Sequence, residues 1–239
     1  VAAATPALPP SGLAIRLEGV ERRFGALVAL RSLTLEIPAG EFVALLGHNG
    51  AGKTTLLRIA ATLMRPSRGL VKYGADVAPS DAKGMIGVVG HSLLLYDDLT
   101  AEENLTLFAN LYGLDNIPAR VASALAACGL AARAASQVRT FSRGMRQRLT
   151  IARALLHSPK LLLLDEPAAG LDRQGLVWLG CTLERLRADG CTVIMSTHAR
   201  NESLELATRA VLLASGRLEQ DSGSGGDPRP LLASLRAEA

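Results

Sequence analysis

Gly47-His48-Asn49-Gly50-Ala51-Gly52-Lys53-Thr54 decides how this chain is read, and it follows at once on Glu41 to Leu46, a nearly continuous apolar run. A strand with so little polar character suits a parallel sheet covered on both faces. Glycines placed directly after it let the backbone turn so that successive N–H groups point inward, and the helix that follows adds its positive end. Such a loop cradles phosphate oxygens. The candidate cradle is Gly47, His48, Asn49, Gly50, Ala51, Gly52, Lys53, Thr54 and Thr55, with Lys53 reaching the β and γ phosphates and Thr54 offering its hydroxyl to Mg²⁺.

Outward from this loop, Pro38-Ala39-Gly40 makes a turn into the apolar strand, and Ile15 to Val20 and Leu33 to Ile37 alternate as half-buried strands do. Leu161 to Leu164 and Thr192 to Met195 are further buried-strand candidates, each preceded by a helical pattern, which is the alternation of an α/β fold with a mainly parallel sheet. Their carboxyl ends carry Asp165, Glu166 and His198, at the edge where open α/β sheets bind ligands. Asp165 is placed to hold Mg²⁺, and Glu166 to polarise an attacking water. Leu99 to Ala135 reads as helix after helix: Thr100 and Glu103 form a capping box, and Ile117-Pro118 starts the next helix. This is an inserted α-helical subdomain.

A chain of 239 residues with 49% hydrophobic content has the core of one ordinary domain. Its net charge of +4 is spread rather than striped, and 3% aromatic residues leave no stacking platform, so a nucleic-acid partner is not expected. Cys128, Cys181 and Cys191 lack zinc or disulfide spacing and read as reduced core thiols. No apolar run approaches the roughly 20 residues that span a bilayer, and the Ala-rich start, broken by Pro6, Pro9 and Pro10, does not read as a signal peptide. The expected division is a flexible tail over residues 1–12, a nucleotide-binding domain over 13–220 with its helical subdomain at about 92–150, and a linker with a short helix over 221–239. His157, at a helix end, suits the dipole there as a cation.

Phe141-Ser142-Arg143-Gly144-Met145-Arg146-Gln147-Arg148 makes the assignment specific, because it resembles the signature motif of the ATP-binding cassette family, whose usual form begins Leu-Ser-Gly-Gly-Gln. Ser142 and Gly144 match, while Phe141, Arg143 and Met145 depart. The resemblance implies a P-loop NTPase (RecA-like) core, an N-terminal antiparallel β part, and ATP with Mg²⁺ as cofactors. It also implies a second cassette as partner, a homodimer in the ATP-bound state, so that Ser142 and Gly144 of one chain meet the γ-phosphate held by the other. Under the same resemblance Phe24 falls where an aromatic stacks on adenine, Gly170-Leu171-Asp172 where the paired sites are coupled, and His198 at the switch histidine. Lys53, Glu166 and His198 are then the catalytic set, and Thr54, Asp165 and His91 the metal set.

His91 stands where the family has a glutamine that contacts Mg²⁺ or its water, and the Leu93-Leu94-Leu95-Tyr96 stretch beyond it lies at the family's docking groove for a membrane subunit. With the Phe-Ser-Arg-Gly-Met signature, these are similar to the ATP-binding subunits of cytochrome c maturation haem exporters. The resemblance implies an ATPase on the inner face of the cell membrane that powers an integral membrane transporter subunit. An exporter of other cargo and a soluble ATPase of iron–sulfur cluster assembly stand as alternatives. A small-molecule kinase or GTPase leaves the signature segment unexplained.

Overall fold

The computed structural model describes residues 12–75, 77–90, 94–197 and 202–234, and His91, Leu93 and His198 lie outside them. The strands β1 (Ile15–Phe24), β2 (Leu27–Ile37) and β3 (Phe42–Leu46) lead into helix α1 (Lys53–Ala60). Next come β4 (Arg68–Tyr73), a short helix α2 (Pro79–Ala82) and β5 (Ile86–Val89). Helices α3 (Ala101–Leu111), α4 (Ile117–Ala127) and α5 (Arg143–Leu155) follow. The chain then alternates through β6 (Leu161–Asp165), α6 (Arg173–Ala188), β7 (Thr192–Ser196), β8 (Arg209–Ala214), β9 (Arg217–Asp221) and α7 (Arg229–Ser234).

These strands form two sheets, an antiparallel one ordered β2-β1-β4 and a larger one ordered β5-β6-β7-β3-β8-β9. The larger sheet is parallel except for the β8–β9 pair. The middles of its central strands are apolar because both faces are covered, and polar residues stand at the ends of β6 and β7. In β3, Val43 and Leu45 enter the core under the antiparallel sheet and α1, whereas Phe42, Ala44 and Leu46 enter the core with α6 and α7. Strand β6 divides in the same way, Leu161 and Leu163 to one side and Leu162 and Leu164 to the other.

Helices α3, α4 and α5 build a third core around Leu105, Leu125, Phe141 and Leu149. The capping box is present, with Thr100 Oγ1 accepting from Glu103 N and Glu103 Oε2 accepting from Thr100 N. Trp178 of α6 joins this unit to the sheet core, packing against both and donating its indole N–H to Ala127 O at 2.7 Å. Among the described residues no helix is long and apolar enough to cross a membrane.

Several elements differ from the sequence expectation. Strand β1 runs on past Val20 to Phe24, and β2 begins at Leu27, because register shifts after Leu17, Val20 and Arg22 break the simple alternation without ending the pairing. Asp221 closes β9 rather than opening the linker, held there by Arg209. Cys128 and Cys191 are buried as expected, but Cys181 is exposed on α6.

Candidate functional site

The phosphate loop leaves β3 on three glycines with left-handed or extreme φ, Gly47 (141°), Gly50 (82°) and Gly52 (107°). Two of them are also fixed by packing. A Cβ at Gly47 would collide with the Leu213 carbonyl of β8, and one at Gly52 would come within 2.8 Å of Ala29 O and 2.9 Å of Leu30 Cδ2. The loop is tied to the same neighbours by Gly216 N–H donating to Ala51 O at 3.0 Å and Arg31 N–H donating to Gly216 O at 2.8 Å. Lys53, Thr54 and Thr55 form the first turn of α1, whose opening N–H groups have no partner further back in the helix. His48, Asn49 and Gly50 are exposed at the tip of the loop.

The buried Lys53 ammonium donates to Gly47 O (2.5 Å) and His48 O (3.0 Å), closing the loop on itself. Burial pushes its pKa down, and the Glu166 and Asp165 carboxylates pull the other way. A cation held among carbonyls at the mouth of an N–H-lined turn is poised to exchange those carbonyls for phosphate oxygens.

The ends of β6 and β7 complete the cluster. Thr54 Oγ1 donates to Asp165 Oδ2 at 2.7 Å, and Ser196 Oγ donates to Asp165 Oδ1 at 2.6 Å. The Thr54 hydroxyl and Asp165 carboxylate thus converge as hard oxygen donors, the kind Mg²⁺ takes together with phosphate oxygens and water. Glu166 sits at φ 54°, a left-handed conformation that costs a non-glycine residue on the order of 1 kcal/mol. Its N–H is held by Ser196 O and Ser196 Oγ, both at 3.2 Å, so the strained turn is anchored to β7. Ser196 was not singled out from the sequence; its signal is the polar Ser196-Thr197 pair that ends an otherwise apolar strand.

Helix α5 meets the 166–172 segment through Arg143, Gly144 and Gln147. Ser142 caps α5 by accepting from Met145 N at 3.3 Å, and Gln147 Nε2 donates to Pro167 O at 3.0 Å. Gly144 is small where it must be, since a Cβ there would lie 3.1 Å from Gly170 O. Asp172 caps α6 by accepting from Gly175 N at 2.7 Å. Arg143 lies along Gly170, where a Cβ would come within 2.6 Å of its Cδ and Nε.

Phe24 is 43% exposed at the β1–β2 hairpin. The Arg22 guanidinium lies 4.7 Å over its ring. Strand β2 then passes Gly52 at Ala29 and Leu30, so hairpin and phosphate loop share a wall. His157 is not a helix-end cation: α5 stops at Leu155, the His157 ring stacks on Tyr112, and burial holds its pKa below the ordinary 6.5. Leu94, Tyr96, Leu111 and Tyr112 are exposed, and Tyr96 packs against Phe108 of α3 with ring centroids 6.5 Å apart.

The strand-loop-helix cradle, acidic strand end and capped signature helix agree with comparison to known proteins, in which an ABC transporter family model matches residues 30–169. The chain belongs to the ABC transporter family. It is 38% identical over 85% of its length to the ABC transporter ATP-binding protein NatA of Bacillus subtilis, covering 87% of that protein. The Nod factor export ATP-binding protein I of Bradyrhizobium diazoefficiens is 38% identical over 86% of this chain and 69% of its own length. Among solved structures, a dimeric post-hydrolysis state of the ATP-binding cassette MJ0796 bound to ADP and Pi matches with a TM-score of 0.79 and 28% identity, over 89% of this chain and 99% of that one. An ATP-binding subunit of an ABC transporter matches with a TM-score of 0.81 and 29% identity, over 93% of this chain and 99% of the other. The cassette is an ATP-binding, ATP-hydrolysing enzyme.

Proposed function

We propose that this cassette powers a separate membrane-spanning subunit by closing on ATP with a second cassette and reopening after hydrolysis. The observation that carries the reading is the joining of Thr54, Asp165, Ser196 and Glu166 at the mouth of the Lys53-closed loop. Lys53 would leave the carbonyls of Gly47 and His48 for the β and γ phosphates, and loop N–H groups would take the remaining phosphate oxygens. Mg²⁺, held by Thr54 and Asp165, would offset charge on the phosphates. Glu166, aimed by its anchored backbone, would orient and polarise the attacking water, and His198 would take the part of the family's switch histidine. Phe24 would stack on adenine, a role that requires only a π face.

Ser142 and Gly144, at the exposed start of α5, would meet the γ-phosphate held by a second copy, with Asp172 in the coupling loop between the two sites. Support for pairing comes from the dimeric MJ0796 cassettes that this chain resembles. The exposed Leu94, Tyr96, Leu111 and Tyr112 are the docking surface in this reading, which places the cassette on the inner face of the membrane. For the cargo we favour haem, on the His91 segment and the Phe141 to Met145 signature. The relatives named above are a Nod factor exporter and NatA, so export of other cargo is the alternative.

The test is affinity isolation of tagged Glu166→Gln protein from detergent-solubilised membranes with ATP and Mg²⁺, with partners identified by mass spectrometry and haem by absorbance. Expected is a stable cassette dimer with a multi-spanning protein, whereas Lys53→Ala recovers neither. Recovery of haem-handling subunits supports the cargo; a multi-spanning partner without them removes it. Soluble scaffold proteins alone would overturn the transporter role.

A further inference from the structure

Strand β5 is the free edge of the six-stranded sheet, and its outward carbonyls are claimed by side chains of the α5 segment. Arg153 Nη2 donates to Val88 O at 2.7 Å, and His157 Nε2 bonds Ile86 O at 3.2 Å. Arg153 lies within α5 and His157 two residues past its end, and they reach carbonyls two residues apart along β5, a span of about 6.6 Å on one side of the strand. Helix α3 backs both rungs one turn apart. The Arg153 guanidinium carbon lies 5.0 Å over the Phe108 ring, and the His157 ring stacks on Tyr112 with centroids 4.0 Å apart and planes at 15°. Helix, strand and helix are thereby pinned in a double ladder.

The ladder bears on the site through register. Val89 pairs with Leu164, the residue before Asp165, so the chain leaves β5 at Gly90 alongside the acidic end of β6. An Ile86 carbonyl only accepts, so His157 carries its proton on Nε2, and its buried Nδ1 has no hydrogen-bond partner among the described residues. The charged and titratable groups that face it are Arg153 on α5 and Tyr112 at the C-terminal cap of α3, while β5 presents only backbone. Protonation would place a second cation beside Arg153 and bury an N–H with no acceptor.

We propose that Arg153 and His157 are positioning residues for ATP hydrolysis, holding the β5 edge against α3 and α5 so that Gly90 is set beside Asp165, and that protonation of His157 opens this strut. The proposal rests on hydrolysis at the Asp165–Glu166 site. Burial, chiefly, keeps the folded-state pKa below 6.5, with Arg153 adding to it and the Ile86 bond opposing. The folded protein therefore binds fewer protons than the unfolded chain in that window. The strut is intact above 6.5 and is lost as pH falls from there through the folded value.

The test compares wild type with His157→Gln, which keeps a donor for Ile86 but does not titrate, in steady-state ATPase assays from about pH 8 to 5.5. Each profile is normalised to its own alkaline limit. Hydrogen exchange of residues 84–90, corrected for intrinsic pH dependence, is followed in parallel. Expected is a wild-type kcat that falls roughly threefold further than the variant's at the acid end, with KM moving less, and β5 exchange that quickens on acidification only in wild type. Arg153→Lys, which keeps the cation but loses the planar stack, should lower kcat at every pH without steepening the profile. Coincident ATPase profiles would overturn the proposal, as would β5 exchange that responds equally in both proteins. Absence of wild-type ATPase at pH 8 would instead indict the site, and the exchange data would still judge the strut.

Discussion

Replacing Arg209 by Met should cost the fold about 3 kcal/mol. The Arg209 side chain is only 8% exposed and makes four hydrogen bonds. Two go to Asp221 (2.8 and 2.6 Å), one to Glu41 (3.1 Å) and one to Glu36 O (2.8 Å). These tie the end of β2 to β3, β8 and β9. Methionine preserves most of the volume and strands two carboxylates that are 22% and 11% exposed. Breaking a buried pair costs about 3–5 kcal/mol. The lower end applies because Gly223 N still donates to Asp221 at 2.9 Å and Ser224 still reaches Glu41.

With a urea slope near 3 kcal/mol/M, the unfolding midpoint should drop by about 1 M. Adding Asp221→Asn should restore roughly 1–2 kcal/mol by removing one stranded charge. Acidification supplies an independent check. The hydrogen bond from Arg209, against the opposing effect of burial, holds the Asp221 carboxyl below its ordinary 3.8. Its contribution is present above 3.8 and fades as pH falls through the folded value, so the gap between wild type and Arg209→Met should narrow in that range. A loss under about 1 kcal/mol at neutral pH, or a gap that widens in acid, would refute the reasoning.

Gly87→Ala should destabilise by about 2 kcal/mol, because its Cβ would meet Ala154 O at 2.5 Å and Leu162 Cδ1 and Pro159 Cγ at 3.0 Å; a urea midpoint equal to wild type would show that α5 yields freely. Ser142→Ala should lose about 1 kcal/mol with its helix cap, and Ser142→Asp should recover the thermal stability. Neither should recover ATP-driven pairing in a Glu166→Gln background, since one lacks the hydroxyl and the other brings a charge to phosphate; light scattering that finds full dimer in Ser142→Asp would separate Ser142 from the nucleotide.

Much of the site was legible because its chemistry lies in short contiguous stretches. The loop from Gly47 to Thr55 and the β6 end at Asp165-Glu166 each carry their own context, an apolar strand followed by the candidate residues. Strands β4 and β5 were not legible: Gly69 and Gly87 interrupt their apolar pattern, and each glycine answers to a distant backbone, Glu18 and Gly19 in one case and Ala154 in the other. Ser196 escaped for a related reason, since its two roles depend on β6 and β7 lying side by side. Misreading His157 as a dipole partner shows the limit of local rules, because α3 and the β5 edge outweigh its place after the helix.

The parallel register of β3 with β7 sets a timetable for synthesis. Strand β3 ends at Leu46, while the neighbours that flank it, β7 and β8, begin at Thr192 and Arg209. At about 5–20 residues per second, a ribosome takes on the order of 10–30 s to travel between them. Until β7 is made, five apolar residues, Phe42 to Leu46, have neither of their eventual strand partners, and for most of that time the glycine loop beyond them has neither Asp165 nor Ser196 to face. Over the same interval the segment up to Leu46 can already pair β1 with β2, while β3 stays an unpaired apolar strand of the kind that exposes a folding chain to aggregation.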